Sequence, residues 1–142
     1  MILDKTLELS LAQAVTATAL ATNVIDIGSA RNIGVGEDTF LFIKVGAAAA
    51  AVGAATVNFQ LQTSANSDLS SPTTLLDSGA IAKTALTANA VLKFKLPPAD
   101  YKRYVGLNYL VGTGPLTAGD FSAWICNDVQ DNTQYASGFA VQ

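Results

Sequence analysis

Val57-Asn58-Phe59-Gln60-Leu61-Gln62-Thr63 is the most legible stretch of the chain. Val57, Phe59, Leu61 and Thr63 alternate with Asn58, Gln60 and Gln62. Successive side chains of a strand point to opposite faces, so this period of two predicts a strand with one dry face and one wet face. The same reading extends along the chain. Val105, Leu107, Tyr109 and Val111 share one side of the stretch 104–111, and Leu92, Phe94 and Leu96 alternate with Lys93 and Lys95. Phe121, Ala123 and Ile125 alternate with Ser122, Trp124 and Cys126. Residues 40–45 form a more continuous apolar run, which suits a strand covered on both faces. Weaker strands are expected at 24–27 and 73–77.

Turn signals separate these runs: Gly34-Val35-Gly36, Ser70-Ser71-Pro72, Ser78-Gly79, Pro97-Pro98 and Gly112-Thr113-Gly114-Pro115. About eight short strands with this punctuation imply an all-β sandwich or barrel, with the jelly roll a natural member. The 142 residues fit one domain and can bury a core without staples. The N-terminal stretch 1–23 fits both strict alternation (Leu7, Leu9, Leu11, Val15) and a helical spacing (Leu7, Leu11, Val15, Thr18). Its Val and Thr content favours an extended arm, which either adds to a neighbour's sheet or is the first strand of its own sandwich. The small-residue segment 47–55 reads as a loop with room for one helical turn, able to lie close against another backbone. Residues 128–142 are polar, with isolated Tyr135, Phe139 and Val141, and are expected to order by docking or not at all.

Hydrophobic residues make up 50% of the chain but charged residues only 13%, about half the usual share. A surface covered by Thr, Ser, Asn, Gln, Ala and Gly loses water cheaply on contact, which suits either an assembly component or a neutral sandwich surface. The net charge is −3 and the eight basic residues are scattered, with only Lys93/Lys95 and Lys102/Arg103 paired, too few for a phosphate track. A nucleic-acid partner is therefore not expected, nor is a membrane partner, since no segment reads as a span. Residues 1–5 lack the basic start and apolar block of a signal peptide, and Cys126 is the one cysteine, so synthesis in a reducing cytoplasm without conventional secretion is expected.

No histidine is present, which removes Ser-His-Asp and Cys-His chemistry, and with one cysteine it removes a Cys and His zinc site. Nine of the eleven acids are Asp, mostly in turn-like contexts, where they read as turn and cap formers. Gly34-Val35-Gly36 lacks a third glycine, and the acids around Asn127 lack the alternating spacing of a calcium loop. Trp124 reads as core or interface packing ahead of a sugar-stacking platform. The expectation is no catalysis, no cofactor and no metal.

Several segments carry a resemblance. They are MILDKTLELSLAQAV at 1–15 leading into DIGSARNIGVGED at 26–38, FQLQTSAN at 59–66 with LDSG at 76–79, and RYVGLNYLV at 103–111 with TGPLTAG at 113–119. Together they resemble the capsid cement (decoration) proteins of tailed bacteriophages, in particular the Bordetella-phage cement protein family. The resemblance implies a jelly-roll protein on the outer capsid surface of the virion, assembled in the host cytoplasm. It would bridge copies of the major capsid protein, as a homo-oligomer (dimer or trimer). Contact residues toward capsid or self are then expected among Ile2 and Leu3 of the arm, the acids Asp4, Glu8, Glu37 and Asp38, Trp124, and the tail aromatics Tyr135 and Phe139. A receptor- or carbohydrate-binding jelly roll of a phage tail or fibre is the alternative. It would need an exposed aromatic cluster or a metal-bearing loop.

Overall fold

The computed structural model describes residues 3–33, 35–36, 38–127 and 129. Among these residues twelve strands form: Glu8–Ala14 (β1), Ala19–Leu20 (β2), Ile25–Asp26 (β3), Arg31–Ile33 (β4), Phe40–Val45 (β5), Thr56–Ser64 (β6), Thr73–Asp77 (β7), Ile81–Ala82 (β8), Val91–Lys95 (β9), Ala99–Tyr101 (β10), Tyr104–Gly112 (β11) and Asp120–Cys126 (β12). Two short 3-10 turns, Lys5–Leu7 and Lys83–Ala85, are the helical elements among the described residues. None of them is a helix long and apolar enough to cross a membrane.

The strands make two antiparallel sheets. The smaller runs β1-β12-β5-β9, and the larger runs β2-β11-β6-β7, with β3 also on β11 and β8 also on β6. The pairings nest: β1 pairs β12, β2 and β3 pair β11, β5 pairs β9, and β6 pairs β7 and β8. Contacts of β12 with β5 and of β11 with β6 then close each sheet. A long hairpin rolled on itself in this way is a jelly roll, so the all-β sandwich read from the sequence holds. A separate ribbon of β4 and β10 bridges the loops at one end.

The alternation at 57–63 decides which face is dry. Val57, Phe59 and Leu61 are fully buried, while Asn58 and Gln60 point outward and are half-buried. Phe59 and Tyr109 from the larger sheet meet Phe121 from the smaller one, with ring centroids 5.4–5.8 Å apart. Burying each such ring contributes about 1.5–3 kcal/mol. Edge-to-face and offset contacts add roughly 0.5–1.5 kcal/mol per pair.

The N-terminal stretch is extended from Glu8, as expected. Within this chain it is the first strand of its own sandwich: β1 is an edge strand, paired with β12 along one side. Strict alternation fails within it. Glu8, Leu9 and Ser10 are all buried, whereas Leu11 is 60% exposed. The cause is a pair of register shifts against β12 together with Ala12 at φ +45°, which rotate the strand between Leu9 and Leu11.

The alanine-rich segment 47–55 forms a loop without a helical turn, and it does lie against another backbone. Ala50 bridges Ala118, and Thr117 N–H donates to the Ala50 carbonyl at 2.7 Å. Gly119 lets that approach happen. It sits at φ +144°, and a Cβ there would come within 3.3 Å of Ala49 Cα.

Candidate interaction surfaces

The N-terminal corner gathers four of the residues singled out from sequence. Asp4 accepts from Thr6 N–H at 2.8 Å and caps the turn Lys5–Leu7. Lys5 at the start of that turn pairs with Glu8. Glu8 stands opposite Trp124 in the β1–β12 register, and Leu3 lies exposed before the turn. Glu8 is therefore not an outward acid. Its side chain is 7% exposed and is held by Lys5, with the Asn23 amide also within reach at 3.5 Å. Asp38 is elsewhere, by the opposite edge strand β9, in an exposed ion pair with Lys95 at 2.6 Å. Such pairs contribute little in water. Ile2, Glu37, Tyr135 and Phe139 lie outside the described residues.

Trp124 is not a platform. It packs with Phe42 and Cys126 on the outward side of the smaller sheet, ring centroids 6.2 Å apart, forming a cluster separate from the main core. All three are at most 7% exposed.

Besides Asp4, three aspartates behave as turn formers, whereas Asp100 and Asp120 lie in strands. Asp26, Asp68 and Asp77 accept from the N–H two residues on, at Gly28, Ser70 and Gly79. These bonds hold their carboxyls below the ordinary value of 3.8; for Asp26 the largest cause is Arg103, and for Asp77 it is Gln60. Arg103 clamps Asp26 through two bonds of 2.9 Å and lies 5.1 Å over the Tyr104 ring. Lys102 Nζ donates to Thr73 Oγ1. Of the neighbouring tyrosines, Tyr101 is fully buried.

The outward face of the larger sheet was not singled out from sequence, although its signal is the wet side of the opening stretch. In register across β2, β11, β6 and β7 stand Leu20, Asn108, Gln60 and Asp77. Gln60 accepts from Asn108 and Gln62 and donates to Asp77. One row along, Leu110 stands opposite Asn58. Leu20 and Leu110 are 42% and 39% exposed. The face is thus largely a sheet of amides, with the carboxylates of Asp77 and, opposite Tyr104, Asp26 at its rim and two leucines at the β2 side.

At the ribbon end an apolar cavity of about 180 Å³ opens between the sheets, lined by Ile25, Ile27, Ile33, Leu96 and Val105 among others. Tyr101 also lines it. Its hydroxyl donates to the Pro97 carbonyl at 3.2 Å, and burial pushes its pKa up. The lining surface is mostly apolar, and Thr39, which donates to the Asn127 side chain at 3.3 Å, adds a polar patch to it.

Comparison with protein families matches the chain over residues 9–125 to Bbp16, a family of Bordetella phage proteins. That span runs from β1 into β12 and so includes both sheets. Comparison with curated proteins gives no match.

Proposed function

The chain belongs to the Bbp16 family of phage proteins, and from that premise we propose that it is a non-enzymatic capsid cement protein. In this reading it binds the outer surface of a tailed-phage head and bridges major capsid protein subunits, as a homo-oligomer and without a cofactor. The observation that carries the reading is the family match across the whole jelly roll. The outward amide face of the larger sheet supports it. The two exposed leucines gain on desolvation, and the amides, less costly to strip of water than charges, can exchange hydrogen bonds with water for bonds with a partner.

The physical task is simple. A shell packed with DNA is under outward pressure. A protein that binds only the mature shell stabilises that state by mass action, by about 2.7 kcal/mol per site when its concentration is 100 times Kd. Over many sites the sum is large, and an oligomer that spans several subunits gains further through effective concentration. The tail-fibre alternative needs an exposed aromatic surface, and the buried Trp124–Phe42 pair does not favour it.

The test is add-back. Purified protein is titrated onto mature heads from which it has been removed, and the heads are heated while DNA release is followed. A saturable rise in release temperature is expected. An unchanged release temperature at all concentrations would contradict the proposal.

A further inference from the structure

The outward side of the smaller sheet carries an aromatic cluster that is distinct from the main core. Across the sheet the register reads Glu8, Trp124, Phe42, Lys93, with Cys126, Phe40 and Lys95 in the adjacent row. A sheet face of this kind is normally wet, yet Phe42 is only 5% exposed and Trp124 only 7%. Among the described residues, the hydrophobic side chains packed against the cluster are Phe40 and Val129. Val129 lies three residues beyond the end of β12, so the chain leaves its last strand toward this face.

We propose that residues 130–142 of the same chain dock across this face and complete a second small core over Trp124 and Phe42. The segment has the reach. Thirteen extended residues span up to about 43 Å, whereas four strands at their usual spacing are roughly 14 Å wide. It has the apolar anchors, Tyr135, Phe139 and Val141, set among small and polar residues. It has the complementary charge: Asp131 is its one charged side chain, while Lys44 stands on the same side of β5 as Phe42 and Phe40. The site is thus an aromatic sheet face that takes an extended, weakly acidic peptide, and its occupant is the chain's own C-terminal segment.

Trp124 is the sole tryptophan and Cys126 the sole cysteine, so both report on the cover. The experiment uses the full-length protein, free of capsid. It compares the wild type with the double variant Tyr135→Ser/Phe139→Ser and the single variant Phe139→Asp. Trp124 emission, its quenching by acrylamide, and the rate at which Cys126 reacts with a thiol reagent are measured, and far-UV circular dichroism checks the fold. Both variants are expected to keep the β spectrum, shift Trp124 emission to the red and speed the thiol reaction by roughly tenfold or more. Wild-type-like emission, quenching and thiol reactivity in both variants would overturn the proposal. So would wild-type quenching that rises on dilution, because the cover would then come from a second copy. Neither result depends on whether the protein binds a phage head.

Discussion

Ser10 Oγ lies 2.5 Å from the Tyr109 hydroxyl, a bond across the interior between residues 99 positions apart. It ties the edge strand of the smaller sheet to the central strand of the larger one. When Ser10 donates to the Phe121 carbonyl at 3.2 Å, Tyr109 donates to Ser10; when Tyr109 ionises, Ser10 turns its proton to the phenolate.

The two partners are not equivalent. Tyr109→Phe removes the hydroxyl and leaves Ser10 bonded to Phe121, at an expected cost of about 1 kcal/mol. Ser10→Ala strands a buried phenol without its acceptor, and about 1–3 kcal/mol is expected. Urea unfolding of both variants checks the order. Equal losses would mean that the serine is not the acceptor.

Burial pushes the Tyr109 pKa up from 10.0 to about 12, a rise that the Ser10 bond partly offsets. The folded state therefore holds this proton more tightly than the unfolded chain. The resulting stability is fully present below pH 10 and is lost as pH rises through 10 toward 12. The loss by pH 12 is on the order of 2 kcal/mol. Unfolding midpoints measured from pH 8 to 12 should fall in that window, and the fall should be shallower in Tyr109→Phe.

Gly119→Ala tests the contact between the alanine-rich loop and the segment before β12. A side chain at φ +144° is strained whatever the space, and here the added Cβ also meets the Ala49 backbone. A loss of about 1–3 kcal/mol is expected in thermal or urea unfolding. Gly36→Ala, where no atom lies within 4 Å of the added Cβ, is the control for the positive φ alone.

The strands that were legible are the long ones. Val57 to Thr63 and Val105 to Val111 repeat often enough for a period of two to be read, and their dry faces are buried except at Val111, which is half-buried, while Gln62 on the wet side is buried as well. Strands β2, β4, β8 and β10 have two or three residues each, too few to show any period. The β1 reading failed at Leu11 because a bulge is a tertiary event. The shift arises where β1 meets β12, about 110 residues away in sequence, and no local pattern records it. The acids show the same limit. Asp4 was legible as a polar residue near a chain end, but the burial of Glu8 depends on Lys5 and on its place opposite Trp124. The amide face was visible as the wet side of a strand. Its standing as a surface emerges only when Leu20 and Leu110 arrive from other strands.

Leu20→Lys/Leu110→Lys places two charges on that neutral face. Both side chains are partly exposed, so stability should change by no more than about 1 kcal/mol. If this face meets the capsid, binding to heads should weaken by roughly tenfold or more. Undiminished binding would move the contact to another surface.

The most direct measurement is co-sedimentation of the purified protein with mature heads stripped of it, set against immature proheads. Saturable binding to mature heads, with little to proheads, is the result expected of a capsid cement. Absence of binding to both shells would contradict the proposed function.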